Sequence, residues 1–448
     1  MTNTRIPISR DFYSEMESKA KDPRWSNALR NSILNVGLDE TALNHATQTS
    51  MQHSFSIELE TGEITSQNKS GRCWLFAGLN TMRYKIMQDL NLKNFELSQT
   101  YQMFFDKIEK ANYFLENILE TLDEETDSRL VMWLMNSPLN DGGQWDMFTS
   151  IVEKYGVVPK LVMPETFASS NSGRMNQILT LKLRGYAFRL REEHKNGNKL
   201  EDLQNTKKEM VADFYRLLTM FLGFPPKEFV FEYTDKDKNF HRDSNLTPTG
   251  FYSKYVGISL ENYVSIINAP TSDKPFNKTF TVQFLGNVED GNPVKYLNVD
   301  MHSFKKLAVA QLQDGDPVWF GSDVGKKMER KNGILDENIY SYEDVLHSSF
   351  ELSKAGRLDY GESLMTHAMV FTGLNLVDGV PNRWKVENSW GDKNGKKGYF
   401  VMSDKWLEEY TYQVVINKKY LPESMLKIWE DEEPIVLKPW DPMGSLAL

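Results

Sequence analysis

The sequence predicts an α+β fold in which helices precede strands along the chain. Apolar residues at three- and four-residue spacing, typical of helices with one buried face, occur in two segments between residues 73 and 223. Short alternating stretches bounded by Gly, Asn, Asp and Pro follow from residue 278 onward and predict strands. Because helical and strand segments are separated along the chain, a regularly wound β-α-β sheet is not expected.

The composition is that of a soluble folded protein. The chain has 448 residues, of which 40% are hydrophobic and 25% are charged. This length suffices for two or three lobes, at roughly 100–200 residues per domain. With 52 basic and 62 acidic residues the net charge is −10, which argues against nucleic acid or an anionic membrane as a partner.

Neither a signal peptide nor a membrane span is predicted. The stretch "MTNTRIPISRDFYSEM" contains no long apolar run, and the longest strictly apolar run covers residues 130–135. A membrane span requires roughly 18 such residues. Cys73 is the only cysteine, so the chain forms no internal disulfide. These features predict a protein of the reducing cytoplasm.

The first predicted element is a polar arm or irregular cap over residues 1–60, which has few periodic apolar positions. The second is a helix that begins at Cys73, preceded by Ser70 and Gly71 as candidate cap residues. Its apolar residues recur at helical spacing: Trp74, Leu75, Leu79, Met82, Ile86 and Leu90.

Residues 173–223 predict two charged helices with a solvated face, interrupted by "NGN". The predicted strands follow in the stretches "KTFTVQFLG", "DPVWFGSDVG", "HAMVFTGLNLV" and "RWKVENSWG". The end of the chain contains Pro434, Pro439 and Pro442 and is expected to be extended.

The lone thiol of Cys73 is an inert packing group, a metal ligand or a nucleophile. Most buried thiols are inert. A thiol on the first turn of a helix, however, faces the positive end of the helix, which stabilises the reactive thiolate. Gly71 lets a substrate backbone approach, and the Gln67 amide offers a donor beside the Cys73 N–H for an oxyanion. A glutamine in a surface loop is the alternative interpretation.

Among seven histidines, His367 is the candidate proton partner, because it opens the apolar stretch "HAMVFTGLNLV". A purely structural histidine is the alternative. The other six lie in polar surroundings without metal-ligand spacing: His45, His53, His194, His241, His302 and His347. Downstream, Asn388 in "ENSWG" has an amide that can orient an imidazole ring, with Trp390 to exclude water. A turn is the alternative interpretation of Asn388.

The combination of Q-x5-C-W, T-H-A, E-N-S-W-G and a following G-Y-F resembles the papain-like cysteine peptidases. The resemblance implies a two-lobe fold with Cys73 as nucleophile, His367 as acid and base, Asn388 as the residue that orients it and Gln67 in the oxyanion site. It implies no metal or organic cofactor. Substrate-binding positions in "DGGQWDMF" and "ENSWG" are then Gly142, Gly143 and Trp390.

Two departures narrow the resemblance. The motif S-G-R-C-W has Ser70 where secreted papains carry a disulfide cysteine. Cys73 and His367 are 367 − 73 = 294 residues apart, against roughly 130–150 in simple papains. With the terminus "KPWDPMGSLAL", these features resemble the bacterial branch of the bleomycin hydrolase and aminopeptidase C family. That family implies a cytoplasmic homohexamer with active sites facing an internal cavity.

The resemblance also implies a carboxy-terminal arm in the cleft, which makes Ala447 and Leu448 substrate-binding residues. The expected division is an amino-terminal arm, a helical lobe with the nucleophile, a large and mostly helical insertion, a β lobe with His367 and Asn388, and a carboxy-terminal arm. The boundaries are 1–60, 61–170, 171–300, 301–425 and 426–448.

The expected function is therefore a cysteine aminopeptidase acting on peptides. An endopeptidase of the same fold is the first alternative, if the carboxy-terminal arm is displaced or removed. A nucleic-acid-binding homologue is the second, and the net charge of −10 argues against it. No G-x-S-x-G motif occurs, which disfavours a serine hydrolase.

Overall fold

The computed structural model describes residues 5–20 and 24–445, except the side chains of Arg24 and Trp25. The chain divides into two compact units, residues 1–50 with 337–351 and residues 51–336 with 352–448. No helix within the described ranges is long and apolar enough to cross a bilayer.

The first unit is helical. Its helices are Arg10–Ala20, Arg24–Val36, Leu38–Ala42, His45–Ser50 and Tyr342–Leu346. The backbone of 337–351 joins the earlier segment through hydrogen bonds from Asn44 N to Ile339 O (2.9 Å) and from Ser341 N to Ala42 O (2.8 Å).

The prediction of a polar arm or irregular cap over residues 1–60 does not include these helices. Helix Arg10–Ala20 buries none of its residues, so it lacks the periodic apolar face by which a helix is recognised in a sequence. Local interactions support it instead, including an i,i+4 ion pair between Glu15 and Lys19 at 2.6 Å.

The second unit contains the longer helices and the main sheet. Its helices are Cys73–Asp89, Gln99–Glu120, Arg129–Asn136, Trp145–Tyr155, Phe167–Ser170, Gly173–Lys195, Leu200–Leu222, Pro248–Phe251, Met301–Gln313, Lys354–Asp359, Asp404–Tyr410 and Glu423–Asp431. Shorter helical turns cover Tyr252–Val256, Leu260–Asn262, Lys418–Tyr420 and Pro442–Gly444.

The main sheet of the described residues has twelve strands. Eleven of them follow one another across the sheet in the order Ile435–Leu437, Lys278–Val282, Tyr296–Asn298, Tyr263–Ile267, Thr411–Asn417, Val318–Ser322, His367–Val377, Val380–Glu387, Tyr399–Ser403, Ile334–Leu335 and Met328–Glu329. The twelfth, Ile57–Glu58, pairs antiparallel with His367–Val377. Strands Phe229–Thr234 and Phe240–Leu246 form a separate hairpin.

The predicted α+β class is confirmed, and each of the four predicted strand stretches contains a strand. The "NGN" stretch separates helices Gly173–Lys195 and Leu200–Leu222. The expectation of a mostly helical insertion over residues 171–300 holds for residues 173–222, whereas the rest contains a hairpin, short helical turns and three strands of the main sheet, Tyr263–Ile267, Lys278–Val282 and Tyr296–Asn298. The carboxy-terminal segment is extended at Ile435–Leu437 and turns at Pro442–Gly444.

The Cys73 helix, Cys73–Asp89, begins where the sequence predicts, but its cap differs from the expectation. The N-cap residue is Arg72, and no side chain caps the helix. The Ser70 hydroxyl donates to Gln67 O at 2.7 Å instead. Twelve of the seventeen residues in this helix are buried, so the helix forms the centre of the core and carries Cys73 at its amino-terminal end.

Candidate active site

Cys73 is fully buried at the first position of its helix, against the strand that begins at His367. The backbone N–H of Ala368 donates to Cys73 Sγ at 3.4 Å. Trp319 Nε1 donates to Trp74 O at 3.3 Å. The first contact holds the sulfur against the start of strand His367–Val377, and the second ties the next residue of the helix to strand Val318–Ser322.

His367 and Asn388 are brought together by neighbouring antiparallel strands. His367 opens one strand, and Asn388 directly follows the other, in which Glu387 pairs with Val370. His367 Nε2 lies 2.9 Å from Asn388 Oδ1. An amide oxygen accepts, so this contact places the neutral ring's proton on Nε2 and leaves Nδ1 as its basic nitrogen.

The Trp390 ring packs against the ring of His367. Its ring lies 4.8 Å from the His367 ring, with an interplanar angle of 35°. The Arg330 guanidinium lies 4.5 Å from the Trp390 ring centre. Both members of the pair are buried, His367 with 6% and Asn388 with 1% of its surface exposed, so little solvent reaches the bond between them.

Gln67 is held beside the helix start by bonds to both of its amide atoms. Its Oε1 accepts from Ser389 Oγ at 2.6 Å, and its Nε2 donates to Ser70 O at 2.5 Å. The Gln67 backbone N–H also donates to Ser389 O at 2.8 Å. An amide NH₂ has two protons, so one N–H of Gln67 remains for a further acceptor.

Burial dominates the electrostatics of the two ionisable groups. Desolvation raises the pKa of Cys73 to about 12, although the backbone N–H groups of Ala368 and Trp74 oppose the rise. Desolvation likewise lowers the pKa of His367 to about 4, although the bond to Asn388 opposes it. The helix start therefore does not by itself produce a thiolate, contrary to the sequence-based expectation. Transfer of a proton from Cys73 to His367 keeps the net charge of the pair at zero.

An ion pair links the loop before Cys73 to a distant segment. The Arg72 guanidinium donates to both carboxylate oxygens of Glu165, at 3.1 and 2.8 Å, and its Nε donates to Ser70 Oγ at 2.9 Å. Arg72 is fully buried. Such a bidentate pair defines the geometry of both partners, so it constrains the loop at the position where secreted papains have a disulfide.

Asp141 is a second anchor of this loop. Its carboxylate accepts from Gly71 N at 3.0 Å, from Lys107 Nζ at 2.6 Å and from Asn176 Nδ2 at 2.8 Å. The Ser172 hydroxyl also donates to it. Although burial opposes ionisation, the Lys107 ammonium and these donors hold the pKa of Asp141 well below its ordinary value.

Asp141 also connects Cys73 to the predicted glycine pair. Trp74 Nε1 donates to Asp141 O at 2.6 Å, and a Cβ on Gly143 would lie 2.5 Å from the Trp74 ring. Real Cβ atoms do not approach so closely, so this position requires glycine. The structure thus brings Gly142 and Gly143 to the neighbourhood of the Cys73 helix start.

A third link joins the Cys73 helix to the segment of Asn388. Arg83 in the helix donates to Glu387 Oε1 at 2.7 Å, and both side chains are buried. Breaking a buried ion pair by removal of one partner costs about 3–5 kcal/mol. The pair therefore fixes the position of the Cys73 helix relative to the strand before Asn388.

Sequence reasoning missed Arg72, Arg83, Asp141, Glu165 and Glu387. The residues with which they form ion pairs are 34–304 residues away, so no local pattern identifies them. Asp141 had one signal, because it directly precedes the glycine pair in "DGGQW".

The carboxy-terminal segment is anchored close to the glycine pair. Tyr296 Oη donates to Met443 O at 3.1 Å, and Lys274 pairs with Asp441 at 2.8 Å. Gln144 Nε2 donates to Ser445 O at 2.9 Å, and Gln144 directly follows Gly143. The predicted substrate-binding residues Ala447 and Leu448 lie outside the described residues.

The candidate residues outside this site form no metal centre. Within residues 5–20 and 24–445, no three His, Cys, Asp and Glu side chains are grouped as metal ligands would be. His194 contacts Asp123 at 3.3 Å, and His241 contacts Asp235 at 3.0 Å.

A model of the peptidase C1-like family matches residues 7–444. The chain is 52% identical over 417 residues to aminopeptidase C of Listeria monocytogenes, covering 93% of this chain and 94% of that one. It is 48% identical to aminopeptidase C of Streptococcus thermophilus, covering 100% of both. Bleomycin hydrolase of Gallus gallus is 44% identical over 404 residues, covering 88% of each.

Among solved structures, the crystal structure of PepW from Lactobacillus rhamnosis superposes with a TM-score of 0.97 at 51% sequence identity. The match covers 98% of this chain and 99% of that chain. The agreement therefore extends over almost the whole chain.

Proposed function

The chain belongs to the peptidase C1-like family, and we propose that Cys73 is the nucleophile with which it removes amino-terminal residues from peptides. The protein is a papain-like cysteine aminopeptidase, as its full-length similarity to named aminopeptidases C indicates. The observation that carries our assignment is the hydrogen bond from His367 to Asn388 at 2.9 Å. The residue that follows His367 on the same strand, Ala368, donates its backbone N–H to Cys73 Sγ.

The first step is attack of the sulfur on the peptide carbonyl. The Cys73 proton passes to His367 Nδ1 while Sγ forms a bond to the carbonyl carbon. Asn388 accepts from His367 Nε2 and so keeps Nδ1 directed at the reaction. The charge that develops on the carbonyl oxygen then needs donors in a site from which water is excluded.

We assign those donors to the remaining N–H of Gln67 Nε2 and the backbone N–H of Cys73. Ser389 and Ser70 hold the Gln67 amide in place before substrate arrives. Donors that are oriented in advance need no rearrangement during the reaction, and loss of one typically costs about 10²–10³ in kcat.

The intermediate collapses when the C–N bond breaks and His367 gives its proton to the leaving amine. Water then attacks the thioester and gives one of its protons to His367. Cys73 leaves as a thiolate and regains a proton from His367, which restores the neutral pair. These steps need only protein side chains, the substrate and water.

We assign the preference for amino termini to the carboxy-terminal segment. Gln144, which directly follows Gly143, donates to Ser445 O, and residues 446–448 follow Ser445 in the sequence. Three extended residues span at most about 10 Å. A terminal carboxylate on Leu448, or on Ala447 after trimming, would pair with the α-ammonium of the substrate and block longer chains.

Product analysis on one peptide in free and N-acetylated forms tests this assignment. We expect stepwise release of amino-terminal residues from the free peptide and at least tenfold lower kcat/KM on the acetylated one, because acetylation removes the ammonium charge. Equal rates on both peptides, with internal fragments as products, would identify an endopeptidase instead.

We propose that the protein is a cytoplasmic homohexamer. The single cysteine suits a reducing compartment. Large apolar side chains are exposed, and a surface of this kind favours association between copies of the chain. Among them are Leu161 (92% exposed), Phe167 (84%), Phe188 (68%), Met220 (77%) and Phe224 (76%).

Light scattering on the purified protein tests the assembly. A hexamer has a mass of about 311 kDa, six times the 51.9 kDa of one chain. Phe167→Ser, Phe188→Ser and Phe224→Ser are expected to lower the measured mass. A stable 51.9 kDa species in the unsubstituted protein at micromolar concentration would contradict the proposal.

A further inference from the structure

Arg330 presents an exposed guanidinium next to the candidate catalytic residues. It directly follows strand Met328–Glu329. Its guanidinium lies 4.5 Å from the centre of the Trp390 ring, and the same ring lies 4.8 Å from the His367 ring. Burial is the main cause of the lowered pKa of His367, the bond to Asn388 opposes it, and the charge of Arg330 lowers the pKa further. The guanidinium is therefore close enough to His367 to change its proton affinity.

The Arg330 guanidinium has no carboxylate partner and no hydrogen bond within the described part of the chain. The carboxylate of the preceding residue, Glu329, accepts instead from the backbone N–H groups of Lys331 and Asn332, both at 2.9 Å. Gly395 N donates to Lys331 O at 3.0 Å. These bonds fix the turn that carries Arg330, while the N–H groups of its side chain remain free for an acceptor from solution.

The mechanism places the leaving part of the substrate on the Arg330 side of the cleft. His367 gives its proton to the leaving amine, so the residue that follows the scissile bond has to lie against His367. The carboxy-terminal segment is anchored elsewhere, at the bond from Gln144 to Ser445 O. Trp390, which packs against His367, and Arg330, which stacks on Trp390, therefore face the leaving residue.

We propose that Arg330 determines specificity by binding a carboxylate on the residue that follows the scissile bond. This inference rests on the proposed function, since it takes His367 as the group that protonates the leaving amine. A guanidinium presents a planar fork of N–H donors that matches the two oxygens of a carboxylate. Stacking on Trp390 holds this fork in place before substrate arrives, which reduces the entropy lost on binding.

Two kinds of substrate carry a carboxylate at this position. One is a dipeptide, whose α-carboxylate belongs to the leaving residue. The other is a longer peptide with an aspartate or glutamate side chain at that residue. A dipeptide is bound at both of its charged ends, because its α-ammonium pairs with the end of the carboxy-terminal segment and its carboxylate pairs with Arg330. In that case the cleft selects the shortest peptides.

Values of kcat/KM on two pairs of peptides test the proposal and separate the two sources. Alanyl-alanine and its carboxy-terminal amide differ only in the α-carboxylate. The amides of alanyl-aspartate and alanyl-asparagine differ only in the side chain. We expect the carboxylate member of a pair to be hydrolysed at least fivefold faster. A preference in the first pair alone identifies the dipeptide, and a preference in the second pair identifies an acidic side chain. Equal rates within both pairs would overturn the proposal.

Variants of the full-length enzyme assign this preference to Arg330. Arg330→Gln should abolish it, because the charge is lost. Arg330→Lys should retain part of it, because the charge remains without the planar fork. The matched control is Lys331→Gln, which removes the same charge one residue further along and should keep the full preference. The rates within a pair report on the same active molecules, so partial unfolding leaves their ratio unchanged. A preference that survives in Arg330→Gln, or that Lys331→Gln removes equally, would overturn the assignment.

Hydrolysis of alanine p-nitroanilide, which has no carboxylate, separates failure of this inference from failure of the proposed function. An unsubstituted protein that hydrolyses neither the anilide nor any peptide would overturn both, whereas hydrolysis of all substrates without a carboxylate preference would overturn the role of Arg330 alone. On the anilide, Arg330→Gln should also move the acid limb of kcat/KM to higher pH, because loss of the cation raises the pKa of His367. An unmoved limb would contradict the position of Arg330 beside the leaving group.

Discussion

Replacement of Cys73 by Ala is expected to abolish peptide hydrolysis and to preserve the fold. The only cysteine supplies the only thiol, and loss of a catalytic nucleophile typically costs on the order of 10⁶ in kcat. The change removes one small buried group, worth on the order of 1 kcal/mol, as for a buried methylene. Domains are stable by about 5–15 kcal/mol, so the variant should remain folded.

A graded series makes this result specific to the proposed mechanism. His367→Ala should approach the loss seen in Cys73→Ala, because the proton acceptor is gone. Asn388→Ala should lose less, because Asn388 orients the ring and takes no proton. Its bond raises the pKa of His367, so its loss should shift the acid limb of kcat/KM to lower pH.

Circular dichroism and thermal melting on each variant separate catalysis from folding. Residual hydrolysis by Cys73→Ala near the rate of the unsubstituted protein would contradict the assignment of the nucleophile. Equal, complete losses in Asn388→Ala and His367→Ala, with lowered melting temperatures in both, would make Asn388 a structural residue.

The local structure around Cys73 and His367 is predictable from sequence because its determinants are local. The helical spacing after Cys73 and the apolar stretch after His367 lie within a few residues of the functional groups. The structure then brings these two segments together through the pairing of strand His367–Val377 with Val318–Ser322 and Val380–Glu387.

The supporting ion pairs are not predictable in the same way. Arg72 and Glu165 are 93 residues apart, and Arg83 and Glu387 are 304 apart. Charged residues with such separations look like ordinary surface positions in a sequence. Only the packing of the Cys73 helix into the core buries them and selects their partners.

The protonation state of the thiol is the other feature that local sequence reasoning missed. The position of Cys73 at a helix start predicts a lowered pKa, yet complete burial raises the pKa to about 12. The burial comes with the packing of the helix start against strand His367–Val377, where Ala368 contacts Cys73 Sγ, and that packing is not visible in the spacing around Cys73.

Deletion of residues 445–448 is expected to convert the aminopeptidase into an enzyme that also cleaves internal bonds. The deletion removes the group that we assign to the substrate's α-ammonium. A partly desolvated, charge-assisted contact is worth roughly 1.5–3 kcal/mol, which corresponds to about ten- to a hundredfold in selectivity. Loss of steric exclusion opens the cleft further, while Cys73 and His367 are unchanged.

The anchors of this segment explain why it can act as a permanent part of the cleft. Pro434, Pro439 and Pro442 limit its freedom, while Lys274 and Tyr296 bind Asp441 and Met443. Placing the segment in the cleft therefore costs little additional conformational entropy.

Tyr296→Phe tests this anchoring without shortening the chain, because it removes only the hydroxyl that donates to Met443 O. We expect a partial loss of the preference for free over acetylated peptides. Tyr420→Phe is the matched control, since its hydroxyl bonds Asp314 at 2.6 Å, outside the segment, and it should keep the full preference.

The decisive comparison is kcat/KM on free and acetylated forms of one peptide, with mass spectrometry of the products. The deletion variant should lower the ratio of the two values by ten- to a hundredfold and release internal fragments. A disordered chain end without a role would leave both the ratio and the products unchanged. In that case selectivity would have to come from other groups in the cleft, and the contact of Gln144 with Ser445 would serve only to pack the end of the chain.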